Sequence, residues 1–261
     1  MDIKILVATH KKYDMPSEDI YLPIHVGREG KQDLGYQGDN QGDNISLKNS
    51  NYCELTGLYW AWKNLNCDIV GLSHYRRYFT NNSRLEIARN KNNKMDLILN
   101  KQDVENILEN ADIIVPKKRN YYIETIYSHY KNAHHIKDLD ETRNIIEELY
   151  PDYLESFDKV MDGKTIHLYN MFIMKKELFD EYCEWLFDIL FELEKRVDIS
   201  EYDSYQSRIF GFISERLFNV WILKSHKSTR EINVINIDNI NWLSKASNFI
   251  FRKFNIRGDK I

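Results

Sequence analysis

Cysteine is scarce in this 261-residue chain, which holds only Cys53, Cys67 and Cys183. Their odd number, wide spacing and lack of any CxxC pattern exclude a disulfide framework and a cysteine-built zinc site. Cys53 and Cys183 are expected on apolar helix faces. Four prolines and ten glycines are too few for a collagenous, linker-like or low-complexity chain. No apolar run approaches the roughly 18 residues of a membrane span. Met1-Asp2-Ile3-Lys4 opens straight into an apolar strand with no signal-peptide pattern, so a cytoplasmic, non-spanning protein is expected. A formal net charge of −4 supplies no field for polyanions, which argues against a dedicated nucleic-acid protein. The chain also has no GxGxxG, no GxxxxGK[ST], no GxSxG and no HExxH, which removes the common dinucleotide, P-loop, serine-hydrolase and zincin readings.

Aromatic residues are plentiful at 13%. Trp60 and Trp62 lie on an apolar stripe with Leu55, Leu58 and Tyr59, a core pattern that predicts a helix over 51–64 with Asn51 as its cap. Strands are predicted at 3–8, 69–72, 111–116 and 166–174, and helices at 103–110, 138–150, 176–196 and about 202–224. Apolar strands alternating with helices indicate an α/β fold with a mainly parallel central sheet and a helical C-terminal region. Residues 13–50 form a long glycine-rich loop containing the echo Gln37-Gly-Asp-Asn-Gln-Gly-Asp-Asn44. A loop of that length in a compact domain is usually functional. Residues 81–101 read as a solvated excursion. One domain is expected over 1–261: a ligand-binding half over about 1–120, a second half over about 121–238, and a tail over 239–261. That tail interleaves Trp242, Phe249, Ile250, Phe251 and Phe254 with Lys245, Arg252, Lys253 and Arg257, a pattern suited to peripheral contact with an anionic membrane face.

The most informative stretch is Asp68-Ile-Val-Gly-Leu-Ser-His-Tyr-Arg-Arg-Tyr-Phe79. A short buried strand breaks at once into His74, Arg76 and Arg77 among aromatics. Ligands of open α/β sheets bind beyond the carboxyl ends of strands. Paired guanidinium groups there match the oxygens of a diphosphate. The bland alternative pairs Arg76 and Arg77 with surface carboxylates and places Tyr75, Tyr78 and Phe79 in the core. His134-His135 invites a metal reading, but adjacent histidines point apart on most backbones, and an exposed polar loop is the simpler expectation.

Lys4-Ile-Leu-Val-Ala-Thr-His-Lys11, Gly42-Asp-Asn-Ile-Ser46, Tyr52 to Asn64, Gly71 to Phe79 and Gly211-Phe-Ile-Ser-Glu-Arg-Leu217 together resemble the successive motifs of one family. It is the bacterial DUF4422 family of capsular, exopolysaccharide and O-antigen glycosyltransferases, and the likeness covers roughly residues 3–223. The resemblance implies a GT-A-like nucleotide-sugar fold that takes a UDP-sugar, and some members are associated with galactofuranose transfer. On that footing Thr9 and His10 would meet base and ribose, with Asp43 and Asn44 accepting from uracil or ribose hydroxyls. Turn-making is the alternative for both. Glu54 would orient the ribose or charge a helix N-terminus. Asn170 would face the donor sugar or acceptor.

Glycosyl transfer builds negative charge on the departing diphosphate, and a cation must stabilise it. The strand at 69–72 lacks the Asp-x-Asp that commonly holds a divalent metal in such enzymes, so Arg76 or Arg77 with His74 is expected to serve without metal. No cofactor is then required beyond the UDP-sugar co-substrate. An inverting transfer needs a carboxylate to take the acceptor hydroxyl's proton. Glu215 is the first candidate and Asp203 the second, and the alternative for Glu215 is a surface pair with Arg216 or Arg208. The expected partners are a UDP-sugar, a saccharide or lipid-linked oligosaccharide acceptor, and the membrane face. The rival classes are a nucleotide-sugar phosphorylase or hydrolase and a non-catalytic nucleotide-sugar or glycan-binding module.

Overall fold

The computed structural model describes residues 1–238, so the membrane-facing expectation for 239–261 falls outside the described residues. The chain begins with β1 (Ile3–Thr9), β2 (Tyr21–His25) and the short β3 (Gln37–Gly38), followed by α1 (Asn49–Tyr52) and α2 (Leu55–Asn64). β4 (Ile69–His74) turns directly into β5 (Arg77–Thr80), and α3 (Arg84–Arg89) and α4 (Lys101–Leu108) lead to β6 (Ile113–Pro116). Next come β7 (Arg119–Asn120), α5 (Ile126–Ala133), α6 (Ile136–Leu149), α7 (Leu154–Asp162) and β8 (Thr165–Ile166). β9 (Phe172–Lys175), α8 (Lys176–Arg196), α9 (Ile209–Ser225) and β10 (Thr229–Asn236) complete the described chain.

The fold is α/β, but the sheet is mixed rather than mainly parallel. Its eight strands run in the order β3-β2-β1-β4-β5-β10-β6-β9, and β9 also pairs with β4. β1 is parallel to β2 and β4, β2 to β3, and β6 to β10. β5 and β9 supply the antiparallel pairings, with β4 and β10 and with β4 and β6 respectively. The physical reason is the tight return at Tyr75–Arg76: a hairpin needs no crossover helix, so β5 comes back antiparallel. The periodicity of single strands carries no such directional information.

β1 is apolar almost throughout because both of its faces are covered. Ile3, Ile5 and Val7 enter one core with Ile69, Val104 and Ile114. Leu6 and Ala8 enter the other with Leu58, Phe179, Leu186 and Leu217, which belong to α2, α8 and α9. The 21-residue α8 follows its predicted span and buries Phe179, Tyr182, Cys183 and Leu186 among others. Gly71, in mid-strand on β4, permits close strand approach, since a Cβ there would lie 2.8 Å from Ile173 Cγ1.

Several elements differ from the pattern reading, and β2 and β3 fall within the stretch 13–50 that reads as a loop. The helix expected over 51–64 breaks at Cys53, whose φ of 54° and ψ of −129° separate α1 from α2. The strand expected over 166–174 is interrupted by Tyr169 (φ 76°) and Asn170 (φ 53°), which are left-handed. α9 begins at Ile209, after a single 3-10 turn over Gln206–Arg208, instead of near residue 202. The excursion at 81–101 contains α3, closed at its start by a Ser83–Glu86 capping box.

Candidate active site

A cleft of about 760 Å³ opens beyond the carboxyl ends of the parallel strands β1 and β4. Four segments distant in sequence wall it. They are the end of β1 with His10, the α1–α2 break with Cys53 and Glu54, the β4–β5 turn with His74 to Arg77, and the start of α9. Tyr169 closes the floor between them.

Sequence order dictates much of this. A strand followed by a two-residue turn places Tyr75 and Arg76 at the sheet end, where Tyr75 is buried and Arg76 is half-buried. Arg76 lies over the Tyr75 ring at 4.8 Å and pairs with Asp238 at 3.1 Å. Arg77 instead lies over the Tyr169 ring at 4.7 Å and has no carboxylate partner among the described residues. His74 Nε2 is 2.7 Å from the Tyr169 carbonyl oxygen, so this ring donates to the corner that carries Tyr169.

That corner holds both carboxylates of the cleft. The Tyr169 N–H donates to Glu215 Oε1 at 2.6 Å, and Asn170 Nδ2 donates to Glu54 Oε1 at 2.8 Å. Asn170 Oδ1 is buried without a partner. Two successive left-handed non-glycine residues are costly, and such conformations persist only where their surroundings over-determine them. Here the His74 contact and the two carboxylates do so.

Arg208, the residue just before α9, and Phe212 and Glu215 within it stand at i, i+4 and i+7, and all three line the cleft. Glu215 is 19% exposed and its other oxygen receives Arg216 at 3.2 Å. Burial pushes the Glu215 carboxyl above its ordinary range, and nearby Glu54 adds to this. Arg216 and the Tyr169 N–H oppose it. The His10 imidazole is pushed below its usual range by partial burial, and then by Lys11, Arg76, Lys31 and Arg208. The lining sets the cations Lys31, Arg76, Arg77 and Arg208 against the carboxylates Glu54 and Glu215, a local positive excess on a chain of formal charge −4.

The cleft therefore gathers His10, Glu54, His74, Arg76, Arg77 and Glu215, with Asn170 directly behind. The other sequence candidates lie elsewhere. Thr9 is buried and its hydroxyl donates to the Lys11 carbonyl, turning the chain at the strand end. Asp43 accepts from the Tyr59 hydroxyl, and Asn44 bonds the Gly42 carbonyl and the Ser46 N–H, so both shape their own loop. Asp203 is exposed and accepts from the N–H groups of Tyr205 and Gln206, a turn cap outside the cleft. Trp60 is core, and the partly buried Trp62 packs against that core, stacking on Phe187. Cys53 departs from expectation: it sits in the helix break on the cleft wall, where Arg208 Nε donates to its sulfur at 3.1 Å. His134 is not on an exposed polar loop. It stacks on Phe212, and burial lowers its pKa to about 4. Tyr169, Tyr205, Arg208 and Phe212 were not anticipated, although the i, i+4, i+7 spacing of Arg208, Phe212 and Glu215 was visible in the sequence.

The first half of the loop echo has a structural duty. Asp39 is fully buried and accepts from the N–H groups of Gly27 and Arg28 and from the hydroxyls of Ser46 and Thr56. Asp39→Ala would leave the Gly27 and Arg28 N–H groups and the Ser46 hydroxyl unpaired, while Thr56 keeps the Cys53 carbonyl, and is expected to cost about 3–5 kcal/mol. Urea denaturation checks this, and a midpoint within error of wild type would show the loop is held otherwise.

Among the described residues no three His, Cys, Asp or Glu side chains gather as a metal-holding group. No described helix is long and apolar enough to cross a membrane. A family profile described as a domain of unknown function, DUF4422, matches residues 4–227, a span that includes every residue lining the cleft. The chain belongs to the DUF4422 family. The solved apo structure of the WbbM bifunctional glycosyltransferase resembles this DUF4422 chain with a TM-score of 0.83 and 32% identity over 92% of its length. The likeness covers 46% of the WbbM chain, so the present chain spans less than half of that enzyme. No curated protein sequence matches it significantly.

Proposed function

We propose that this chain is a glycosyltransferase on a GT-A-like nucleotide-sugar fold. It moves a hexose, galactofuranose being one candidate, from a UDP-sugar to a saccharide acceptor in bacterial surface-polysaccharide assembly. The observation that carries the reading is one cleft joining the unneutralised Arg77 guanidinium at a strand end to a carboxyl whose pKa is raised. The structural likeness to a glycosyltransferase supports the reaction class.

In the inverting step the acceptor oxygen attacks the anomeric carbon and its proton passes to Glu215. The bond from anomeric carbon to phosphate oxygen breaks, and its electron pair leaves with UDP. Arg77, assisted by Arg76, stabilises the charge that builds there. A raised pKa suits Glu215 to this task, because a general base works best when its pKa lies near the working pH. Glu54, steadied by Asn170, keeps its second oxygen for a donor hydroxyl. His74 holds the corner that positions both carboxylates. Metal independence follows from the missing Asp-x-Asp and the cationic turn in its place.

The test is UDP release from a panel of UDP-hexoses, with and without saccharide acceptors, in the presence of EDTA. Acceptor-dependent release that survives chelation is the expected result. Equal release without acceptor would mean a hydrolase, and UDP-hexose binding without turnover would mean a binding module. Loss of activity in EDTA with recovery in manganese would overturn the arginine argument.

A further inference from the structure

Away from the cleft, two large apolar side chains stand side by side in water: Tyr122 is 76% exposed and Ile123 90%. Single exposures of this kind are ordinary, but here the backbone is built to present the pair. β7 and β8 form a two-stranded ribbon, with Arg119 opposite Ile166 and Asn120 opposite Thr165. Tyr122, at its end, adopts φ 60°, a conformation unfavourable for a bulky residue. The turn is tied at three points. Tyr122 N–H donates to Asn120 Oδ1 at 2.7 Å, Ile123 N–H to the Tyr121 carbonyl at 2.7 Å, and Tyr121 N–H to the Lys164 carbonyl at 2.8 Å. The Tyr121 ring stacks on His129 with centroids 3.9 Å apart, which anchors the root.

Cations surround this tip. Lys117, Lys118, Arg119 and Lys164 are all exposed. Of the nearby carboxylates, Glu124 binds His129 and Asn132, Glu231 accepts from the Lys118 backbone N–H and faces His167, and the exposed Asp162 lies two residues from Lys164. No carboxylate among the described residues forms an ion pair with any of the four. Cations alone would suit any polyanion, but an apolar tip among them gains only from a partner with both anionic groups and an apolar phase. We propose that this ribbon docks the protein on an anionic lipid bilayer. Tyr122 and Ile123 enter the interfacial zone, where Tyr is favoured, and the four cations meet lipid phosphates.

The placement fits a working enzyme. Arg216 and Glu215 are among the charged neighbours of Tyr121, so the ribbon is rooted beside the catalytic end of the cleft. On the glycosyltransferase reading, a lipid-linked saccharide would reach Glu215 from the same side. Docking itself does not depend on that reading.

Vesicle sedimentation of the full chain tests it, comparing pure phosphatidylcholine with vesicles containing roughly one third phosphatidylglycerol. Wild type is expected to partition onto the anionic vesicles and little onto the neutral ones. The Lys117→Gln/Lys118→Gln/Arg119→Gln variant should lose about 100-fold in partition coefficient, since each cation near such a surface contributes a factor of about five. Tyr122→Ser/Ile123→Ser should lose about tenfold or more. The segment beyond residue 238 stays in every variant, so its own affinity is a constant background. Circular dichroism spectra and melting temperatures matching wild type would show the variants are folded. Absence of wild-type binding to anionic vesicles, or unchanged partition in either folded variant, would overturn the proposal. A change in gel-filtration volume on Tyr122→Ser/Ile123→Ser without a vesicle effect would assign the tip to a contact between copies. These readouts involve no turnover, so they stand or fall apart from the proposed reaction.

Discussion

Glu215→Gln is expected to lower glycosyl transfer about 10²–10⁴-fold, the usual contribution of a general base, while UDP binding stays near wild type. Glutamine keeps the oxygen that receives the Tyr169 N–H, so the left-handed corner should survive, but it cannot take a proton. Steady-state rates and calorimetry on the same preparation separate the two effects. Asp203→Asn is the control: as an exposed turn cap it should retain nearly full turnover, and the reverse ranking would move the base to Asp203. The pH dependence follows from the raised pKa. Wild-type rate should climb with pH along an ionisation displaced above the ordinary carboxylate range, and Glu215→Gln should lose that limb. Stability has the opposite sign. The folded protein holds this proton more tightly than the unfolded chain does, so Glu215 alone subtracts stability as pH rises through the raised value.

The second large effect distinguishes the two adjacent arginines. Arg77→Ala should weaken UDP binding by about 2–5 kcal/mol, the usual cost of removing one partner of a desolvated charge contact. Arg76→Ala should cost less, because Asp238 already balances that guanidinium at 3.1 Å. Asp238→Asn should accordingly tighten UDP binding slightly, through Arg76. Titration calorimetry of the three variants decides. Equal losses in both arginine variants would mean that Asp238 lets go when the donor arrives.

The strand-to-arginine stretch was legible because a buried apolar run that breaks into adjacent cations has few uses. The bland reading of that stretch proved half right: Arg76 does pair with a carboxylate, and Tyr75, Tyr78 and Phe79 are buried. Glu215 was reachable through its motif, and α8 through its unbroken periodicity. The Gly-Asp-Asn echo shows where pattern fails. Its two copies look alike, yet Asp39 is fully buried beneath four donors while Asp43 is exposed. Only tertiary placement separates them. Left-handed geometry at Cys53, Tyr169 and Asn170 was equally hidden, because none is a glycine and neighbours alone impose it. Arg208 and Phe212 came into view only once α9 was fixed as a helix with Glu215 toward the cleft. β10 was missed because Thr229-Arg-Glu-Ile-Asn-Val-Ile-Asn236 is too polar to announce a strand.

That missed strand bears on how the protein comes to be made. β10 lies between β5 and β6, antiparallel to one and parallel to the other, although both are synthesised long before it. Asn233 pairs with Thr80, about 150 residues earlier, and at roughly 5–20 residues per second a ribosome needs several seconds to half a minute to bridge that interval. Through all of it the inner margins of β5 and β6 present unpaired amide and carbonyl groups to any passing chain. Yield in a foreign host should therefore depend on translation speed and chaperone supply more than on final stability, with slower growth at lower temperature favouring soluble product.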